Sequence, residues 1–217
     1  MEFKKPFISD EEGLKLKEEY LGIYKKYILP AFVGADKLLE WIEGSDFFES
    51  PASTMFHLSC KYGLVKHSLN VYKRLVKFVT QEYGEENIEK ELGVDKSGLA
   101  LIALCHDLCK ANCYIVEMRN VKDETGTWVK EPYYKYSPAF EYGHGSKSVM
   151  IIQNFIQGLD LNIVMSIRFH MFGGSEYGNA PFREDIALKA CEDLNIVYWT
   201  QVADAAATYL DEKRELK

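Results

Sequence analysis

The chain has 217 residues, of which 47% are hydrophobic, and this is enough to bury the core of one compact domain. The formal net charge of −7 disfavours extended nucleic acid as a partner, because an acidic surface repels the phosphate backbone. A small phosphate compound stays compatible with that charge, since a bound metal ion supplies local positive charge.

Apolar residues recur at helical spacing through the first half of the chain. Asp10 is a predicted N-cap, a loop is expected over 44–51, and the charged segment 84–93 is expected to be exposed. The predicted helices of this half cover about 11–29, 36–43, 64–83 and 94–109.

The pattern changes to alternation in YIVEMRNVKDETGTWVKEPYYKY, where turn residues predict a β-hairpin inserted over about 114–136. Gly173 and Gly174 are expected to end a helix and to open a Gly-rich loop over 173–182. The predicted helices of this half cover about 145–157, 161–171 and 196–213. The chain is therefore predicted to be all-α with one inserted hairpin. We expect a single domain over 1–217, in which N-terminal helices at 10–45 pack on a core at 53–210.

The amino terminus lacks the apolar segment of a signal peptide, and no apolar run approaches the roughly 20 residues of a membrane span. We therefore expect a cytoplasmic protein with reduced cysteines and no membrane partner. Cys105, Cys109 and Cys113 are spaced four apart and are predicted to share a helix face. They lack the C-x-x-C pairs of structural zinc sites, and we interpret them as small buried apolar residues.

One pair of polar residues stands out inside the apolar segment LALIALCHDLCK. His106 is followed directly by Asp107, and a buried ionised carboxylate costs several kcal/mol unless it is paired or bound to metal. Adjacent helix residues point about 100° apart, so both side chains can hold one ion, and Asp107 has a second oxygen for a second ion.

Four further residues extend this pattern along the chain. Asp204 lies in the apolar helix IVYWTQVADAAATYL, where a pairing with a nearby Lys is the structural alternative. His67, His144 and His170 each belong to a different predicted helix, so they can converge on one pocket of a bundle. Nitrogen and carboxylate ligands suit Mn, Fe, Mg, Zn or Ni.

The ordered set resembles the HD-domain superfamily of metal-dependent phosphohydrolases in their two-metal form. The residues that carry the resemblance are His67, His106, Asp107, His144, His170 and Asp204. The resemblance covers about 53–210, and the phrase FHLSCKYGLVKHSLNVY also looks like HD hydrolases of bacteria and their phages. It implies an HD-domain helical bundle. HD-type 3'-5' exoribonucleases are similar too, but they carry an OB domain that this sequence lacks.

The resemblance implies roles for the same residues. The first ion would be held by His67, His106, Asp107 and Asp204. Asp107 would bridge to a second ion completed by His144 and His170. The implied cofactors are thus two divalent metal ions, and the implied reaction is hydrolysis of a phosphate ester by a metal-activated hydroxide.

Other polar residues are candidates for binding the substrate, a small phosphate compound such as a nucleotide. Lys110 follows Asp107 at i+3, and it is expected to bind phosphate or to protonate the leaving group. Asp107 and Lys110 are thus the predicted catalytic residues. Weaker candidates for substrate binding are Arg168, Lys147 and His57. Further candidates are Tyr133, Tyr134 and Tyr136 for stacking on a base, and the loop 173–179 together with the hairpin for closing over the substrate.

Two other functions fit the same residues. Di-iron oxygenases related to myo-inositol oxygenase resemble the same ligand pattern, and metal identity would separate them from hydrolases. A non-catalytic HD module that binds nucleotides is the other alternative, although all the ligand positions are filled here.

Overall fold

The computed structural model describes residues 6–140, 142–171 and 183–213, with side chains from residue 188 onward in the last range. The described chain is mostly helical and carries one small two-stranded antiparallel sheet, which confirms the predicted helical fold with an inserted hairpin. Among these residues, no helix combines the length and the apolar character needed to cross a bilayer.

The elements follow one another in a simple order. The helices are α1 (Asp10–Ile23), α2 (Ala35–Gly44), α3 (Gly63–Tyr83), α4 (Ile88–Leu92), α5 (Lys96–Cys105), α6 (His144–Gln153), α7 (Leu161–Arg168), α8 (Arg183–Asp193) and α9 (Asn195–Ala206). The strands are β1 (Tyr114–Lys122) and β2 (Trp128–Tyr136). A π-helical turn follows α1 at Tyr24–Ile28, another follows α9 at Ala207–Asp211, and a 3-10 turn covers Leu108–Lys110.

Helix α3 lies at the centre of the bundle and packs against α5 and α9. Leu64, Val71 and Leu75, which recur at helical spacing, are fully buried on its inner face. Helix α1 packs on α3, and the π-helical turn that follows α1 packs on α5. The hydroxyl of Tyr20 donates to the carbonyl oxygen of Leu104 at 3.2 Å, so α1 is fixed next to the end of α5.

The prediction of one helix over 94–109 is wrong, because α5 ends at Cys105. The carbonyl oxygen of Ala103 would accept the N–H of residue 107 in a continued helix, but it lies 2.8 Å from Nδ1 of His106 instead. The backbone then leaves helical geometry at Asp107, with φ −106° and ψ 19°. This early end also separates Cys105 from Cys109 and Cys113, so the prediction of a shared helix face is wrong, although all three are buried as predicted.

Two further segments differ from the prediction. The segment 84–93 is not simply exposed, because Ile88 and Leu92, one turn apart, are buried on the short helix α4. Helix α8 was not predicted, and its Ala190 packs in a small cluster with Phe169 and Val197. The predicted Gly-rich loop over 173–182, with Gly173 and Gly174 as helix stops, lies outside the described residues.

The hairpin leaves the bundle after the 3-10 turn and returns before α6. Its strands pair over their whole length, from Tyr114 opposite Tyr136 to Lys122 opposite Trp128. Asp123 closes the turn, since its carboxylate accepts hydrogen bonds from the backbone N–H groups of Thr125 and Thr127.

Candidate metal centre

The six residues singled out in the sequence come together although five elements or their ends carry them. His67 lies on α3, His144 begins α6, and Asp204 lies on α9. His106 and Asp107 follow the end of α5, and His170 follows the end of α7. Four of the six, His67, His106, Asp107 and His170, are at most 2% exposed.

Asp107 lies at the middle of the cluster, and its two oxygens face different imidazoles. Oδ2 lies 3.6 Å from Nε2 of His67 and 3.4 Å from Nε2 of His106. Oδ1 lies 2.7 Å from Nε2 of His144 and 3.6 Å from Nε2 of His170. A carboxylate in this position is suited to bridge two cations, one on each side.

Asp204 completes the side of the cluster that His67 and His106 form. Its Oδ1 lies 3.2 Å from Nε2 of His67, and that nitrogen lies 3.2 Å from Nε2 of His106. The structural alternative of a lysine partner for Asp204 is not seen among the described residues. Three donor atoms from α3, α9 and the end of α5 therefore lie close enough to hold one ion.

In each of the four histidines, Nδ1 contacts another group of the protein, whereas Nε2 faces the cluster. Nδ1 of His106 lies 2.8 Å from the carbonyl oxygen of Ala103, and Nδ1 of His170 lies 2.7 Å from that of Ile167. Because a carbonyl oxygen can only accept, Nδ1 carries the proton in both rings and Nε2 keeps its lone pair in the neutral form. This arrangement is typical of metal-binding histidines, whose other nitrogen donates to a fixed acceptor.

Two further residues, which were not predicted from the sequence, orient the other two rings. Glu212 lies 3.1 Å from Nδ1 of His67, and the thiol of Cys109 lies 3.3 Å from Nδ1 of His144. Glu212 gave no usable signal, since it follows the last predicted apolar positions in a charged stretch that is typical of a solvated chain end. Cys109 was interpreted only as a core residue. Burial raises the pKa of the Cys109 thiol to about 12, so the group stays protonated at neutral pH.

A close helix approach places His144 next to His170. The backbone of Gly145 is so near α7 that a Cβ on it would overlap the carbonyl oxygens of Arg168 and Ile167. The carbonyl of Ile167 is the acceptor that orients the His170 ring. Only glycine at position 145 therefore lets α6 pack this tightly on the end of α7.

The electrostatics of the cluster favour a bound cation. Burial alone would lower the pKa of His67, but the carboxylates of Glu212 and Asp204 raise it to about 10. Burial would raise the pKa of Asp107, but Lys110, His106 and His144 hold it well below its usual range. The charges of Glu212 and Asp204 are thus paired by the proton on His67, and a divalent ion offers positive charge at the same place.

Donor type and hydrogen bonding both fit a metal ion. Imidazole nitrogens and carboxylate oxygens are ligands that divalent transition metals accept. Oδ1 of Asp107 is buried and receives no hydrogen bond of acceptable geometry from the described residues, although two imidazole nitrogens lie near it. Such a buried oxygen is costly unless a cation satisfies it. The buried His, Asp and Cys groups could therefore hold metal ions.

A cavity of about 520 Å³ opens beside the cluster. Lys110 lines it, and its Nζ lies 2.7 Å from Oδ2 of Asp107. The two side chains thus face the same side, as their i+3 spacing predicted. His57 also lines it, 3.8 Å from Oε2 of Glu212. Burial and the nearby charges of His67 and Lys110 lower the pKa of His57 to about 4, so it stays neutral at pH 7. The other described lining residues are Phe56, His67, Asp107, His170, Met171, Asp204, Ala205, Thr208, Tyr209, Glu212 and Lys213.

Other predicted substrate-binding residues lie elsewhere among the described residues. Lys147 is buried, and its Nζ donates to Sγ of Cys113 at 3.3 Å and lies over the ring of Phe140. The guanidinium of Arg168 lies over the ring of Phe169. Neither cation belongs to the described cavity lining, and the same holds for Tyr133, Tyr134 and Tyr136 of the hairpin. The loop 173–179, predicted to close over the substrate, lies outside the described residues.

Comparisons with protein-family models, with curated proteins and with solved structures found no match to this chain.

Proposed function

We propose that this chain is an HD-type metal-dependent phosphohydrolase that holds two divalent ions and cleaves a phosphate ester of a small compound such as a nucleotide. The observation that carries the proposal is Asp107, whose two oxygens each face a different pair of imidazole nitrogens. A bridging carboxylate between two sets of nitrogen donors is typical of two-metal hydrolytic sites.

Each ion has its own group of ligands in this proposal. The first would be held by His67, His106, Asp107 and Asp204. The second would be held by Asp107, His144 and His170. The first set offers four residues as ligands, and the second offers three. Bound ions would supply a lowered pKa for a water molecule and would stabilise charge on the phosphate oxygens.

Residues of the chain prepare the cluster for this task. The carbonyls of Ala103 and Ile167 and the carboxylate of Glu212 fix the ring planes of three histidines before any substrate arrives. Preorganised ligands of this kind avoid the cost of reordering during the reaction.

Lys110 is the group that binds the phosphate in our proposal. Burial would lower its pKa, but Asp107 beside it raises the pKa above its usual range. A lysine with a raised pKa keeps its charge, so phosphate binding suits it better than proton donation to a leaving group. Its place in the cavity wall lets the ammonium reach an oxygen of a phosphate held beside Asp107.

The cavity favours a small substrate. Its volume of about 520 Å³ lies within the range of about 300–1,000 Å³ that is common for small-ligand sites. The exposed rings of Phe56 and Tyr209 lie in its wall and offer faces on which a base can stack. We therefore favour a nucleotide or a similar phosphate compound with a flat apolar part.

The test combines metal content with turnover. The metal content per chain is measured in the purified protein and again after loading with Mn²⁺, and phosphomonoester, phosphodiester and nucleotide substrates are then assayed. Asp107→Asn removes the charge of the bridging group with little change of shape. Asp193→Asn on α8, an exposed partner of Lys189, is the matched control.

We expect about two ions per chain and cleavage of at least one ester class, with both lost in Asp107→Asn and kept in the control. Two irons without ester cleavage would favour the di-iron oxygenase instead. Tight nucleotide binding without turnover would favour a binding module. A chain that takes up no metal would overturn the proposal.

A further inference from the structure

The two outer edges of the hairpin differ in their ability to accept another strand. The N–H of Asp123 donates to the carbonyl oxygen of Thr127, and the N–H of Ser137 donates to that of Cys113. Both bonds join odd-numbered residues. Because hydrogen-bonded and non-hydrogen-bonded pairs alternate along an antiparallel ladder, every odd-numbered residue of β1 points its backbone N–H and C=O toward β2. The even-numbered residues of both strands therefore point theirs outward.

The outer edge of β2 is blocked at its middle. Pro132 is even-numbered and lies opposite Met118, so its missing N–H is one of the outward positions. A proline here is a common protection against pairing with another strand.

The outer edge of β1 has no such protection. Val116, Met118 and Asn120 point their N–H and carbonyl groups outward, and within the described ranges these groups have no backbone partner. The side chains of Val116 and Met118 are 63% and 56% exposed. A two-stranded hairpin of this kind is marginally stable alone and gains from a third strand.

The sequence of β1 is complementary to itself. When two copies of β1 run antiparallel with Met118 facing Met118, the outward groups of Val116 meet those of Asn120 of the other copy. Glu117 then faces Arg119 of the other copy, and this happens twice because of the two-fold axis. These are non-hydrogen-bonded positions of the new pair, where Cα atoms are only about 4.5 Å apart and charges interact best.

The charges also select this register over its neighbours. The two nearest registers that keep the backbone groups matched centre on Glu117 or on Arg119. Each of them places like charges directly opposite one another, which destabilises a strand pair. Within one hairpin Arg119 lies 3.1 Å from Glu131, and Glu117 lies 2.8 Å from Lys135, which is diagonal to it on β2. The new pairs would therefore join these internal pairs into a row of alternating charges across four strands.

We propose that β1 is a dimerisation edge, at which a second copy of this chain pairs its own β1 antiparallel, centred on Met118, to form a four-stranded sheet. The proposal rests on the outward-pointing backbone groups of the even-numbered residues of β1 and on the charges of this strand. It is independent of the metal cluster.

The first measurement is the molar mass in solution, by light scattering and by sedimentation over a wide concentration range. We expect twice the mass of one chain. Met118→Pro removes an outward N–H while leaving the bonds to β2 in place, so we expect a monomer with an unchanged far-UV circular dichroism spectrum. A monomeric wild-type protein, or a Met118→Pro variant that stays dimeric, overturns the proposal.

Charge reversal tests the register itself. Glu117→Arg and Arg119→Glu each place two like-charged pairs across the interface, and we expect each to weaken self-association by about tenfold or more. Mixed together, the two variants restore opposite charges at both positions and should form a one-to-one heterodimer. The internal pairs of each hairpin stay broken in the mixture, so only the interface can explain the recovery.

Glu124→Arg in the turn makes the same charge change away from the strand edge, and this variant should dimerise like the wild type. Failure of the mixed variants to associate, or an equal loss of dimer in Glu124→Arg, overturns the proposed register.

Discussion

Nδ1 of His67 lies 3.1 Å from Oε2 of Glu212, and the same carboxylate accepts a hydrogen bond of 2.8 Å from Asn70. The residue that follows the π-helical turn Ala207–Asp211 thus holds the imidazole that α3 contributes to the cluster. Burial would raise the pKa of Glu212, but His67 and Asn70 hold it below its usual value, so the carboxylate stays charged.

Glu212→Gln is therefore expected to weaken metal binding by about 10–100-fold while the fold is retained, because outer partners of ligand histidines have effects of this size. Competition with a metal-sensitive chelating dye measures the affinity. Asp211→Asn is the matched control, since it changes the neighbouring carboxylate, which pairs with Arg74 at the surface. Equal affinities for Glu212→Gln and wild type would mean that Glu212 does not position His67.

Gly145→Ala is expected to destabilise the protein by about 1–3 kcal/mol, because the new methyl group meets backbone carbonyls that cannot move aside easily. The separation of α6 from α7 should also displace His144 from His170 and reduce the metal content. Urea unfolding and metal analysis check the two effects. Gly44→Ala, where a Cβ meets nothing within 4 Å, should leave both quantities near wild type.

Metal removal is expected to lower the thermal stability of the whole domain, since the ligands come from five different elements or their ends. At a free metal concentration about 1,000-fold above Kd, binding contributes about 4 kcal/mol, which corresponds to about 10 °C in Tm for a chain of this size. Differential scanning calorimetry with and without a chelator measures the shift. A Tm that ignores the chelator would show that the cluster binds no metal in the folded protein.

Lys110→Met is expected to lower kcat/KM for a phosphate ester by about 10²–10³-fold, because a positioned charge in a closed site contributes on that scale. The metal content should stay unchanged, since Lys110 offers no ligand to a cation. Lys73→Met, which removes an exposed lysine paired with Glu19, should have wild-type kinetics. Equal kinetics in the two variants would remove Lys110 from the proposed mechanism.

Asp95→Ala is expected to destabilise the protein by about 1 kcal/mol, since Asp95 caps α5 through the N–H of Gly98 at 2.9 Å. Burial would raise the pKa of Asp95, but hydrogen bonds from Ser97 and Gly98 outweigh it and lower the pKa below its usual value. The stabilisation by the ionised cap is therefore fully present well above the usual pKa of an aspartate, about 3.9, and is lost as the pH falls through the lower pKa of the folded state. Urea unfolding at pH 7 and at pH 3 should show a smaller difference between variant and wild type at the lower pH.

The helical fold was predictable because apolar residues recur at helical spacing. The members of the cluster were predictable because charged or polar residues are unusual in apolar segments. An Asp inside an apolar segment is costly to bury, so Asp107 and Asp204 could be singled out from the sequence. The hairpin was predictable from its alternation and its turn residues, and the structure has it over the expected residues.

Other features could not be predicted, because they depend on tertiary contacts. The end of α5 is fixed by the contact of the His106 ring with the carbonyl of Ala103, and propensity favours a longer helix there. Glu212 acquires its role only when the turn after α9 returns to α3. Lys147 has the residue type of a phosphate ligand, yet burial against Cys113 and Phe140 was not visible in the sequence.

The two ends of the hairpin are joined by one backbone hydrogen bond, from Ser137 to Cys113. The chain therefore leaves the bundle and returns to it at nearly the same point, between His106–Asp107 and His144. An insertion at this place can lengthen, shorten or be exchanged for another segment while the helices that carry the cluster stay where they are. In evolutionary terms, the chemistry of the bundle and the contacts made by the inserted segment are free to diverge independently.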